Sequence, residues 1–100
     1  MQTSAQVLWK KYHITPEEWE GIYEAQGEAC AGCGYVPKDG GRRLSVDHDH
    51  KTKHVRGLLC WRCNTVLGWA RDNPKTLKRL ADYLEMAQRN EENVPDTVVG

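Results

Sequence analysis

Residues Cys30 to Asn64 read CAGCGYVPKDGGRRLSVDHDHKTKHVRGLLCWRCN. The stretch opens on Cys30-x-x-Cys33, closes on Cys60-x-x-Cys63, and holds all four cysteines of the chain. Two such pairs at this separation have the spacing of a structural zinc site built from four thiolates. Each pair fits a tight knuckle that aims two sulfurs at one point, and Gly34 allows positive φ just past the first. A zinc bound there ties the entry of the segment to its exit. It also holds Asp47, His48 and Asn64 near one another, and these three form a metal-and-base set suited to phosphodiester hydrolysis.

Working outward, the whole chain has 100 residues, no Phe, four Trp and four Tyr, and 28% of its residues are charged. That predicts one small domain whose core alone is only marginally stabilising, where a structural metal is the expected remedy. Thiolates in a reducing cytosol bind metal more readily than they form disulfides. Two disulfides or four free thiols are the competing readings, and the spacing favours zinc. No charged-then-apolar leader and no run of eighteen apolar residues is present, so the expectation is a cytoplasmic protein without a membrane span.

The formal charge of zero conceals an uneven distribution. Between Arg42 and Arg79 ten basic residues face three acids, a formal +7, and the two ends together carry −7. A zinc held by four thiolates adds a local charge of −2. Within the basic centre, Arg42, Arg43, Lys51, Lys53 and Arg56 are the candidate contacts to a nucleic-acid backbone. An ordinary solvated charged surface is the plain alternative.

Ser4 to Tyr12 fits a short helix with Ser4 as N-cap and Leu8 and Tyr12 four apart on one face. Thr15-Pro16-Glu17-Glu18 reads as a capping box with proline at the first helical position. Ile14 and Trp19 have the spacing of a hydrophobic staple, Trp19, Ile22 and Tyr23 share a face, and Gly27 is the stop. Pro37 to Gly41 is a loop by composition. Leu44 to His48 alternates as a half-buried strand, with His54 to Leu59 as its antiparallel partner and a loose loop over His50 to Lys53. A helix is expected from Cys60–Asn64 to Ala70, with Val66, Leu67 and Ala70 packing inward. Asn73-Pro74 starts another, whose Leu77, Leu80, Ala81, Leu84 and Ala87 form a stripe that closes the core or pairs with a second copy.

His48 is the candidate general base, because imidazole titrates close to working pH. Asp47 and Asn64 offer hard oxygen ligands suited to Mg²⁺ or Mn²⁺. Strict strand alternation puts Asp47 and His48 on opposite faces, so both reach one site only where the strand ends or bulges. His50 is assigned to phosphate contact or substrate orientation, and Asp49 to orienting a histidine or capping the loop. A zinc with four thiolates has no open position for water, so two metals with separate work are expected.

Taken in order, Cys-x-x-Cys-Gly, Leu-x-Val-Asp-His-Asp-His, Val-Arg-Gly-Leu-Leu-Cys-x-x-Cys-Asn and Leu-Gly resemble the phage recombination endonuclease VII family, within the His-Me finger (HNH-like) nucleases. The resemblance covers roughly Thr15 to Gly68. It implies an α+β fold with a small zinc-stabilised ββα-metal core and flanking helices. The layout expected from the residues and the resemblance together is a helical buttress over 1–29, a nuclease core over 30–72, a helix over 73–90 and a flexible tail over 91–100, all one domain. It further implies a divalent-metal-dependent DNA endonuclease, with branched DNA among its substrates, Cys30, Cys33, Cys60 and Cys63 on Zn²⁺, Asp47 and Asn64 on Mg²⁺ or Mn²⁺, and His48 as base. Family members that resolve branched DNA are dimers, and the leucine spacing of the last helix permits a homodimer here. The chain departs from the family pattern at Lys53, where relatives carry glycine, and at Thr65, where they carry an acid. The competing functions are a nicking, homing, packaging or restriction endonuclease, and a non-catalytic zinc module that binds nucleic acid or protein.

Overall fold

The computed structural model describes residues 4–92, in the order α1 (Ser4–Tyr12), α2 (Pro16–Ala25), β1 (Ser45–His48), β2 (Val55–Leu59), α3 (Trp61–Trp69) and α4 (Pro74–Glu92). This is the small α+β arrangement expected from the sequence, with one two-stranded sheet among the described residues. The chain divides into two compact units, residues 1–66 and 67–100, which are taken separately below.

In the first unit, α2 forms because its ends are satisfied locally. The Thr15 hydroxyl accepts from Glu18 N at 3.1 Å and the Glu18 carboxylate accepts from Thr15 N at 3.1 Å, which is the reciprocal capping box. At the other end, Glu28 N bonds Tyr23 O at 2.9 Å and Gly27 N bonds Glu24 O at 3.0 Å. That pairing is a Schellman close, with Gly27 at φ 70°. Ile14 and Tyr23 are buried, and Tyr23 stacks on Trp19 at 5.2 Å between centroids. The helix thus turns one aromatic face toward the loop at Gly41, where a Cβ would lie 2.6 Å from the Tyr23 ring. In α1, Ser4 is the first helical residue and not the expected cap.

β1 and β2 pair antiparallel, Ser45 with Leu59, Val46 with Leu58 and Asp47 with Gly57. A sheet of two strands leaves the outer edge of β2 without a ladder partner. The Gln26 side chain takes that place. Its Nε2 donates to Leu58 O at 3.0 Å and to Ala29 O at 2.9 Å, and its Oε1 accepts from Leu58 N at 2.8 Å. A side-chain amide therefore stands where a third strand's peptide group would stand. Leu58, fully buried, is the residue it serves. Gly57 makes the approach possible, since a Cβ there would lie 2.9 Å from Gln26 Oε1.

Beyond Asp47 the pairing steps to His48 with Val55, which leaves Arg56 as an extra residue on β2. This is a bulge on β2, opposite the strand that carries Asp47 and His48, and β1 itself ends at His48. The loop that follows is held by Asp49: its Oδ1 accepts from Lys51 N at 2.8 Å and from Thr52 N at 3.0 Å. Its backbone N–H bonds His54 O at 2.8 Å, and its carbonyl accepts from Lys53 N at 2.7 Å. Lys53 takes φ 67°, the left-handed conformation that favours glycine. Asp49 is thus the loop cap.

One expectation is corrected in α3. Val66, read as packing inward, is 52% exposed, and no residue of α3 is buried. The reason lies in the first turn, which is committed to presenting Cys63 to the other cysteines, so the helix face is set by the sulfur and not by an apolar stripe.

In the second unit, Asp72 N bonds Leu67 O at 2.9 Å and Asn73 N bonds Ala70 O at 3.1 Å. Arg71 and Asp72 both take positive φ there. Asn73 Oδ1 accepts from Lys75 N at 3.0 Å at the start of α4. α4 runs to Glu92, two residues past the expected end, and the rest of the expected tail lies outside the described residues. Leu80 and Leu84 of its stripe are 52% and 58% exposed. No helix among the described residues is long and apolar enough to cross a membrane.

Replacing Gln26 by Ala strands the Leu58 amide in a buried position, at a cost of about 1–3 kcal/mol for the lost donor–acceptor set. Urea unfolding of zinc-loaded Gln26→Ala is expected to show that loss; a change under about 0.5 kcal/mol would mean that the side chain is not the sheet's third partner.

Candidate functional site

The four cysteines come together as the spacing requires. Cys30 and Cys60 are buried, Cys63 half-buried and Cys33 exposed, and all are free thiols. Their sulfurs lie within 4.8 Å of one another, with Cys33 and Cys60 Sγ 3.7 Å apart. A tetrahedral zinc with bonds of about 2.3 Å sets its sulfurs about 3.8 Å apart, so the donor set fits that ion. Both halves are built alike: Gly34 N bonds Cys30 O and Asn64 N bonds Cys60 O, each at 3.0 Å. Gly34 has φ 78°, as its place in the knuckle demands. Gly32 leaves room for the cluster, since a Cβ there would lie 2.9 Å from Cys63 Sγ.

The surroundings of the cluster act in opposite directions on Cys30 and Cys63. Cys30 Sγ accepts from Gly32 N and from Cys60 N, each at 3.3 Å. Burial acts to raise the Cys30 thiol, but the amides of Cys33, Cys60 and Gly32 and the Cys63 thiol outweigh it and bring it to about 6. Burial pushes the Cys63 thiol up to about 12, and the three neighbouring sulfurs add to the rise. Four thiolates cannot share this space without a cation, and a bound zinc supplies one.

Asp47 is the buried charged residue of the described chain. Its side chain, 9% exposed, meets Arg56 in a two-point fork, Arg56 Nε to Oδ2 at 2.8 Å and Nη2 to Oδ1 at 2.9 Å. A carboxylate this buried persists where a cation answers it. The bulge makes the fork possible by re-aiming Arg56 toward Asp47. Arg56, read from the sequence as a DNA contact, therefore has its guanidinium on Asp47.

His48 lies at the end of β1, half-buried between two rings. Tyr12 is 5.6 Å away and His50 is 4.9 Å away, both tilted. Asn64 is exposed on the first turn of α3, pinned through its backbone to Cys60. Among the described residues, the four cysteines are the one group of three or more His, Cys, Asp or Glu side chains close enough to share an ion. Asp47, His48, Asp49 and His50 make no second such group. Asp47 and Asn64 are hard oxygen donors and fit Mg²⁺ or Mn²⁺ in chemistry, although both Asp47 oxygens are engaged by Arg56.

Around this site Arg42, Lys51 and Lys53 are exposed, and Arg43, 80% exposed, pairs loosely with Asp39 at 3.3 Å. Such a surface pair contributes little and leaves Arg43 available to a phosphate. Sequence reading missed Gln26, Tyr12 and the partnership of Arg56 with Asp47. The last had a signal, since pairing Asp47 with Gly57 puts Arg56 one residue away.

A recombination endonuclease VII family model matches residues 5–86. Over 75 residues the chain is 57% identical to the Gene 59 protein of Mycobacterium phage D29, and over 74 residues it is 53% identical to the Gene 59 protein of Mycobacterium phage L5. Each match covers 73% of this chain and 44% of the relative, so the chain spans less than half the length of the curated relatives it matches.

Chelation of zinc, or Cys→Ser at any of the four positions, is expected to unfold the first unit, because metal binding here is folding free energy. Elemental analysis and circular dichroism check this together. A folded preparation without zinc contradicts it.

The backbone amides of Thr52 and Lys51 hold the Asp49 carboxyl below its usual range. The support this gives the loop is present above the ordinary carboxylate pKa and is lost as pH falls through the lowered one. Protection of the Lys51 and Thr52 amides, taken against free-peptide exchange rates, is therefore expected to fall in acid in the native protein and to lose that pH dependence in Asp49→Ala.

Proposed function

The chain belongs to the recombination endonuclease VII family, and from that premise we propose that it is a DNA endonuclease hydrolysing phosphodiester bonds with His48 as general base. The observation that carries the reading is that β1, which ends in Asp47-His48, pairs with β2, and β2 leads through Cys60 of the zinc-type cluster into α3, where Asn64 sits. On this reading β1, β2 and α3 are the ββα-metal core of a His-Me finger nuclease within residues 30–72. The helices over 1–29 buttress that core, and α4 follows it.

The chemistry is divided among the chain's own groups. His48 takes the proton of the attacking water, which requires an imidazole reachable from solvent, and its half-buried position provides that. Tyr12 and His50 confine the imidazole from two sides and limit its rotamers. Asp47 and Asn64 would hold Mg²⁺ or Mn²⁺, which when bound supplies positive charge toward the scissile phosphate and leaving oxygen. Arg42, Arg43, Lys51 and Lys53 track the backbone on either side of the strand end. His50 contacts a phosphate or orients the substrate. The zinc takes no part in the reaction, because four thiolates fill its coordination sphere. Branched duplexes are the substrates of first choice for an assay. A homodimer through the exposed leucines of α4, acting in the cytoplasm of a phage-infected host, completes the reading.

His48→Ala is expected to keep zinc, fold and DNA binding while cleavage falls by about 10²-fold or more. Asp47→Ala and Asn64→Ala are expected to raise the Mg²⁺ concentration needed for cleavage. A time course on plasmid, linear duplex and four-way junction DNA reads all of these. Wild-type rates from folded His48→Ala contradict the base assignment, and loss of cleavage in His50→Ala alone transfers it to His50.

A further inference from the structure

Arg56 holds the position that a divalent cation needs at Asp47. Both carboxylate oxygens accept from its guanidinium, at 2.8 and 2.9 Å. The aspartate side chain is 9% exposed and the arginine 34%. One partner is therefore fixed in the fold, while the other has an edge in solvent. Arg56 is also the residue that the bulge adds to β2, beside the strand end that carries His48.

We propose that Arg56 and the divalent metal ion exchange at Asp47, with DNA as the trigger. In the free protein the guanidinium holds the carboxylate. When DNA binds, the guanidinium transfers to a backbone phosphate and Asp47 opens to the cation. The inference rests on the assignment of Asp47 as a metal ligand made above.

Three physical points lead to it. A guanidinium and a divalent ion repel each other, so sharing one buried carboxylate weakens metal binding to the free protein. The planar fork of arginine matches a phosphate as well as it matches a carboxylate, so the transfer strands no charge. The side chain already reaches solvent, so a phosphate can meet the guanidinium at its exposed edge. Arg56 is in this account a positioning residue. It keeps Asp47 charge-matched without metal, and it couples DNA binding to metal binding. Coupling of this kind is reciprocal: DNA strengthens metal binding by the factor by which metal strengthens DNA binding.

The test is Mn²⁺ titration of zinc-loaded protein, followed by the electron paramagnetic resonance of free Mn²⁺, with and without duplex DNA. A His48→Ala background keeps the DNA intact. Without DNA, Arg56→Gln is expected to bind Mn²⁺ about 10-fold tighter than the arginine protein. DNA is expected to tighten Mn²⁺ binding by about 10-fold in the arginine protein and by less than about 2-fold in Arg56→Gln. Arg56→Lys, which keeps the charge but loses the fork, falls between the two, and it decides the matter if the glutamine variant lacks zinc or fold. Equal or weaker Mn²⁺ binding in the variants, or equal tightening by DNA in all three proteins, overturns the exchange. Mn²⁺ binding abolished by Asp47→Ala, with no effect of Arg56→Gln, overturns the exchange alone. Mn²⁺ binding that survives Asp47→Ala overturns the metal assignment, and the exchange falls with it.

Discussion

Four sulfurs meeting at one point constrain this protein more than any other contact. They join residues that stand thirty positions apart, and they do so in a chain whose apolar core is slight. Among the described residues the fully buried large side chain is Leu58, and two of the buried apolar group are the cysteines Cys30 and Cys60 themselves. A core of this size offsets little of the entropy of ordering the loop from Gly34 to Arg43. A metal at the loop's ends removes most of that freedom in one step. The strand pair, the Gln26 clamp and the first turn of α3 all start from the positions so fixed.

On the proposed reading the same constraint sets the chemistry apart from a metal that would hold the fold. The cysteine cluster is closed by its own sulfurs, while the groups proposed for the reaction are at the end of β1 and the start of α3. The bulge at Arg56 is the local device that makes this strand end unusual. It breaks the alternation of β2 opposite Asp47, and it brings a guanidinium onto a buried carboxylate. His48 in turn is confined by rings from α1 and from its own loop. An imidazole held by packing against aromatic neighbours, as the proposed base is, keeps its direction without needing a hydrogen bond for each atom.

Much of this was legible before any coordinates. The Cys-x-x-Cys pairs, the Thr15–Glu18 capping box and the Leu44–Leu59 hairpin each depend on short-range chemistry, and each is found where the sequence puts it. Lys53 was legible as a departure, because the family resemblance puts glycine at that loop position, and its φ is 67°. What escaped was what depends on third parties. Gln26 is an ordinary helix-end residue until a two-stranded sheet leaves the Leu58 N–H in need of an acceptor. Arg56 looked like one more cation in a basic stretch, since a bulge carries no sequence mark strong enough to re-aim it. Val66 was misread because helical periodicity was taken to decide the face of α3, and a sulfur ligand decided it instead.

The central claim is that the cysteine-bound metal supports the fold and stays out of the reaction. Zinc K-edge X-ray absorption on the protein, before and after addition of Mg²⁺ and DNA, addresses it most directly. The account predicts a shell of four sulfurs at about 2.3 Å that does not change when DNA is added. An oxygen or nitrogen scatterer in that shell, or one gained when DNA binds, would place the zinc in the chemistry and contradict the account.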